Sequence, residues 1–158
     1  MTNYIHPITK EAATEVAFYL RPDDFREVYE GHGENPLISI PRDAMKGDTV
    51  YFTAPNGKTA GIAGVQQGGL IWMLCTPVVE KYPHTFARQA KKFVDSRTEP
   101  LLWNIVDKRN TVHLKLLQFL GFKFLRELKY GPNQLTFIEF CKCVIPQSPN
   151  SDSQQPDK

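Results

Sequence analysis

The chain has 158 residues, 41% of them hydrophobic and 23% charged, which is one domain's length with enough apolar material for a sizeable core. Its 19 basic and 17 acidic residues are interspersed and leave a net charge of +2, so the concentrated basic face of an obligate nucleic-acid binder is not expected. Three cysteines, Cys75, Cys141 and Cys143, are an odd count without framework spacing. That argues against a secreted disulfide scaffold and for a reduced compartment. The pair Cys141-x-Cys143 alone is a weak metal signal. The N-terminus lacks a basic start followed by an apolar run, and no stretch approaches ~18 apolar residues. A soluble intracellular protein without a membrane span is expected.

In chain order, Asn3–His6 reads as a short strand. Thr9 is a candidate N-cap for a helix whose apolar face is Ala13, Val16, Ala17 and Leu20. Pro22 and the acids Asp23 and Asp24 suit the first turn of a second helix, which Gly31-His32-Gly33 ends. Leu37–Met45 reads equally as a short helix or a loop. Thr49–Thr53 and Thr59–Gln67 are strands around the turn Pro55-Asn56-Gly57-Lys58. Gly68-Gly69 turns again, and Leu70–Cys75 is apolar enough for a central strand covered on both faces.

A helix from Val78 or Pro83 to Ser96 carries Phe86, Ala90, Phe93 and Val94 on one face. Leu101–Val106 is another apolar strand. Asn110 or Thr111 caps a helix with the expected core face Val112, Leu116, Leu117, Phe119 and Leu120, and Gly121 ends it. Phe122–Leu128 and Gln134–Cys141 close the order as strands around the turn Tyr130-Gly131-Pro132-Asn133. The remaining segment, 146–158, has no aromatic or aliphatic residue and is expected to be a disordered polar tail. The fold class is therefore α/β (α+β): a single mixed, mostly antiparallel central sheet of about six to seven strands flanked by three to four helices.

That order resembles the GNAT acetyltransferase superfamily over roughly residues 3–141. The specific marker is the segment NTVHLKLLQFLGF, in which Asn110, Leu116, Gly121 and Phe122 stand where many family members have Asn, Leu, Gly and Phe. A narrower resemblance is to the small GNAT-like internal virion or core protein of short-tailed, coliphage-type bacteriophages. It rests on LLWNIVDKRNTVHLKLLQFLGFKFLREL and QLTFIEF. This narrower likeness implies a non-enzymatic role in the virion or its assembly. It further implies other phage structural proteins as partners, no cofactor, and a location in the host cytoplasm or the particle. The broader likeness implies an acetyl-CoA-dependent N-acyltransferase acting on an amine.

The residues required for that chemistry are largely missing. The family's pyrophosphate loop follows the fourth strand and is glycine-rich, whereas the stretch from Cys75 to Ala90 has no glycine, and Pro77 and Pro83 lack N–H groups. If a cofactor binds, the resemblance places it at Leu74, Cys75, Thr76, Lys81, His84, Arg88 and Asn110. The usual proton-donating Tyr is replaced by Leu117, and His113 stands where a small residue is usual. Glu30, His32 and Glu34 border the acceptor side in this fold and, with His113, are the candidate catalytic residues, although a polar loop is the preferred account of the first three. A packed structural histidine accounts for His113, with Asn104 or Asp107 as expected partner. In this fold acyl-CoA enters where two parallel strands, here Leu70–Cys75 and Leu101–Val106, splay apart. A gap plugged by Trp72, Trp103 or Met73 would favour a structural role, and an open gap an enzyme. GxGxxG, P-loop and Gly-x-Ser-x-Gly motifs are absent from the sequence.

Overall fold

The computed structural model describes residues 3–143, so the expected tail lies outside the described residues. The order is β1 (Ile5–Pro7), α1 (Lys10–Phe18), α2 (Pro22–Arg26), a π-helical turn (Glu27–Gly31), α3 (Pro36–Ala44), β2 (Asp48–Thr53), β3 (Thr59–Gln66) and β4 (Leu70–Cys75). Then follow α4 (Val78–Lys81), α5 (Pro83–Asp95), β5 (Leu101–Asp107), α6 (Thr111–Phe119), β6 (Lys123–Tyr130) and β7 (Leu135–Cys143). Seven strands form one sheet in the order β1-β2-β3-β4-β5-β7-β6. Every neighbouring pair is antiparallel except β4 and β5.

The expected sheet is present, but the helices outnumber the expected three to four. Leu37–Met45 is helical because Asn35 caps α3, its Oδ1 accepting from the Leu37 N–H at 3.0 Å, with Pro36 at the first position. Pro83 separates α4 from α5 rather than leaving one long helix. Thr9 caps α1 as expected, accepting from the Ala12 N–H at 3.1 Å.

Side chains alternate across β4, so the core has two compartments. On one face α5 and α6 bury Phe86, Phe93, Val94, Leu117 and Leu120 against Phe52, Met73, Leu102 and Phe140. On the other, α1 and α3 bury Val16, Ala17, Ile40 and Ala44 against Ile62. The expected core face of α6 needs correction: Leu117 and Leu120 are buried, but Val112 is 51% and Phe119 54% exposed. The helix rests on the sheet along a narrower stripe than the apolar residues suggested. Among the described residues, no helix is long and apolar enough to cross a membrane.

The second helix inverts the usual amphipathic pattern. Arg21, Asp24 and Glu27 are buried, whereas Phe25 and Tyr29 are exposed and stack on each other at 5.4 Å. The buried side of this helix meets strand ends rather than an apolar sheet face, and strand ends require hydrogen-bonding partners.

Candidate functional site: the gap between β4 and β5

The parallel strands β4 and β5 share a single pair in register, Leu70 with Trp103. Gly69 makes that junction: with φ +83°, it comes so close to β5 that an added Cβ would lie 1.9 Å from the Leu101 carbonyl oxygen. The Gly69 carbonyl accepts from the Trp103 N–H at 3.0 Å, and the Gly68 carbonyl accepts from the Trp103 indole at 3.1 Å.

Past this junction Asn104 acts as a wedge. Its Nδ2 donates to the Ile71 carbonyl at 2.7 Å and its Oδ1 accepts from the Ile105 N–H at 2.7 Å. A side chain thereby replaces a rung of the ladder and holds the strands apart. The opening is a cavity of about 540 Å³. Trp72, Met73 and Trp103 are on its wall rather than plugging it, and Leu74, Glu27, His32, Glu34, His113, Leu117 and Tyr130 also line it.

At the C-terminal strand ends a buried polar cluster closes the gap. Asp24 Oδ2 accepts from the Cys75 N–H at 2.9 Å, and Glu27 Oε1 accepts from the Asp107 N–H at 3.1 Å. The Arg21 N–H donates to the Cys75 carbonyl at 2.8 Å. Asn110 Nδ2 reaches Asp24 at 2.8 Å and Glu27 at 3.4 Å, while its Oδ1 accepts from Arg21 Nη2 at 2.7 Å. Arg21 also pairs with Asp24 at 3.2 Å. Asn110 occupies the N-cap position of α6, but its side chain does not cap the helix. It is 1% exposed and ties α6 to α2 instead. The expected capping role is thus corrected to a cross-linking one.

The electrostatics follow from burial. Burial, reinforced by Asp24, pushes the Glu27 carboxyl up to about 8, so it holds a proton at neutral pH. Burial raises the Cys75 thiol well above its ordinary value, which makes it an inert packing group. Burial lowers His113, and Asp24 only partly offsets this. Burial also lowers His32, which packs edge-on against Tyr130 and Phe137. Asp107 is buried, yet its hydrogen bonds from Arg109 outweigh burial and hold it below the usual range.

The other expected site residues are placed as follows. Glu30 pairs with Arg109 at 2.8 Å, and Glu34 pairs with Arg42 at 2.8 Å. His113 bonds neither expected partner: Asn104 is the wedge, and Asp107 is held by Arg109. Lys81, His84 and Arg88 are exposed on α4 and α5, and none lines the cavity. Tyr82 is also absent from the lining, whereas Tyr130 is part of it. Thr76 is buried; its N–H goes to the Ala60 carbonyl at 2.9 Å and its hydroxyl donates to the Thr59 carbonyl at 2.9 Å. Leu117 is 4% exposed, packed where an acid would stand.

The segment after β4 uses its own donors. The Val78 N–H goes to Thr76 Oγ1, Val79 to the Thr76 carbonyl, Glu80 to the Pro77 carbonyl and Tyr82 to the Val78 carbonyl. The first turn of α5 keeps the open N–H groups of any helix start. The strand-end donors are taken, the loop donors are paired internally and Leu117 stands in place of an acid, so this segment departs from the family's glycine-rich pattern, while the α5 start and the cavity stay open. Among the described residues no group of three His, Cys, Asp or Glu side chains could hold a metal ion.

Sequence reading missed Arg21, Asp24 and Glu27 as site residues. The available signal was their spacing at three residues, which places them on one helical face opposite Phe25 and Tyr29.

No family model and no curated protein matches the chain. Solved structures do. A Salmonella typhimurium structure determined with its cofactor acetyl-CoA aligns at 11% identity and TM-score 0.66, covering 99% of each chain. The ribosomal-protein-S18-alanine N-acetyltransferase of Escherichia coli aligns at 17% identity and TM-score 0.65, covering 94% of this chain and 98% of its own. A GNAT-family acetyltransferase of Bacillus anthracis aligns at 12% identity and TM-score 0.63, covering 89% and 93%. Likeness at these identities establishes architecture: the chain has the GNAT acetyltransferase fold.

Proposed function

We propose that this GNAT-fold protein does not run the acyl-transfer reaction and serves as a non-enzymatic component of a bacteriophage, in the virion or its assembly. The observation that carries the first half is the polar cluster that seals the C-terminal strand ends, behind which the gap stays open as the cavity. The Cys75 and Asp107 N–H groups are held by Asp24 and Glu27 of the same chain. The second half rests on the sequence likeness around Leu101–Phe140. On this reading no cofactor is needed, the partners are other phage structural proteins, and the protein is found in the host cytoplasm and in packaged particles. Fold alone assigns no activity. Calorimetric titration with acetyl-CoA tests the reading. No binding is expected up to about 1 mM, the upper end of ordinary KM values, and micromolar binding overturns it. Mass spectrometry of purified particles checks the location.

A second reading is favoured by the cavity of about 540 Å³ and by the proton-holding carboxyl of Glu27 on its wall. It is an acetyl-CoA-dependent N-acetyltransferase acting on an amine. This is the company the fold keeps, since the Escherichia coli protein is named for acetylating an alanine. Release of free thiol from acetyl-CoA in the presence of amines distinguishes the two readings.

A further inference from the structure

We infer that the corner from Arg21 to Glu27 is a built-in occupant of the β4–β5 slot, standing in for an extended chain of secondary amides. The inference rests on the non-enzymatic reading and states what keeps the slot closed. A neighbouring strand would donate one N–H to the Cys75 carbonyl and offer one oxygen to the Cys75 N–H. The corner supplies both: the Arg21 N–H at 2.8 Å and Asp24 Oδ2 at 2.9 Å. On the opposite strand the Asp107 N–H finds its oxygen in Glu27. Protonated Glu27 pairs a carbonyl oxygen with an O–H donor, which is the polarity of an amide.

The occupant is locked from a third direction. Asn110 hydrogen-bonds Asp24, Glu27 and Arg21 together, and all four side chains are buried. Behind the lock the slot continues as the cavity. Cys75 turns its N–H and C=O towards β5, so by the two-residue period Met73 does the same, inside the opening. Ile71 confirms the parity, because its carbonyl accepts from Asn104 across the gap. Removing the two carboxylates therefore exposes a row of main-chain groups spaced for an amide chain.

The test uses the full chain and two probes, pantetheine and a blocked trialanine, which carry the same amides from different sources. Wild type and the conservative Glu27→Gln variant, which keeps the oxygen that accepts from the Asp107 N–H, should bind neither probe. The Asp24→Ala/Glu27→Ala variant should bind one of them at least about tenfold more tightly than wild type, the scale of one or two hydrogen bonds released from competition. Pantetheine alone binding assigns the slot to a thiol carrier; trialanine alone assigns it to strand addition. A folded double-alanine variant that binds neither probe overturns the inference, as does wild type binding as tightly as that variant. Should that variant lose its cooperative melt, hydrogen exchange in wild type decides. The amides of Cys75 and Asp107 should open together as one unit, and independent opening overturns the inference. If wild type binds acetyl-CoA and releases thiol, the non-enzymatic reading falls. If wild type binds nothing and the double-alanine variant also binds nothing, only the occupant falls.

Discussion

Replacing Glu27 by Gln should remove a specific pH dependence of stability. In the unfolded chain this carboxyl ionises near 4.5, whereas in the fold it holds its proton to about 8. Folding therefore takes up a proton throughout that interval, and stability falls as pH rises through it. The contribution is complete below the unfolded value and gone above the folded one. A displacement of roughly 3.5 units at about 1.4 kcal/mol each sets a ceiling on the order of 4–5 kcal/mol. Glu27→Gln keeps the oxygen that accepts from Asp107 and Asn110 but has no proton to lose. His32 and His113, both lowered by burial, act in the opposite sense near 6.5, so the wild-type profile alone is ambiguous. The difference between the two proteins cancels them. Urea unfolding at intervals from pH 5 to pH 9 should show wild type losing up to about 1.4 kcal/mol per unit relative to the variant. Parallel profiles would refute the assignment of a neutral buried Glu27.

Four further outcomes follow from the same geometry. Asn104→Ala removes both bonds of the wedge, leaving the Ile71 carbonyl and Ile105 N–H unpaired, and should cost about 1–3 kcal/mol by urea denaturation. Gly69→Ala forces a Cβ against the Leu101 carbonyl and should cost at least about 2 kcal/mol, with a lowered Tm. Arg21→Ala leaves Asp24 buried without its cation and should cost about 3–5 kcal/mol. Leu117→Tyr restores the phenol of the family pattern, yet should lower stability by about 1–3 kcal/mol through overpacking without any thiol release from acetyl-CoA.

The strands and helix starts were legible because their signals are local. Thr9, Gly68-Gly69 and the apolar run Leu70–Cys75 fix their elements within a few residues. The face of α6 was less legible, since Val112 and Phe119 fit an apolar stripe by period but extend past the sheet they would pack on. The site was least legible. Asp24 in a first turn looks like any acid complementing a helix dipole. Only the arrival of Cys75, 51 residues later, and Asn110, 86 residues later, reveals its partners. Asn110 shows the same limit: its position beside Thr111 signals a cap, and tertiary contacts reassign its side chain to α2.

The cluster that seals the seam has a consequence for how the chain matures. Asp24 and Glu27 leave the ribosome long before Asp107 and Asn110, the residues that complete their hydrogen bonding. Until then the amino-terminal hairpins can assemble, but this corner has no reason to leave water, because buried polar groups without partners are costly. Closing so long a loop also carries its own entropy cost. The meeting of β4 and β5 is thus a late event that waits until synthesis has passed Asn110, residue 110 of 158. Truncation before Asn110 should leave a nascent sheet with its central seam open and its strand edge free to pair with other chains.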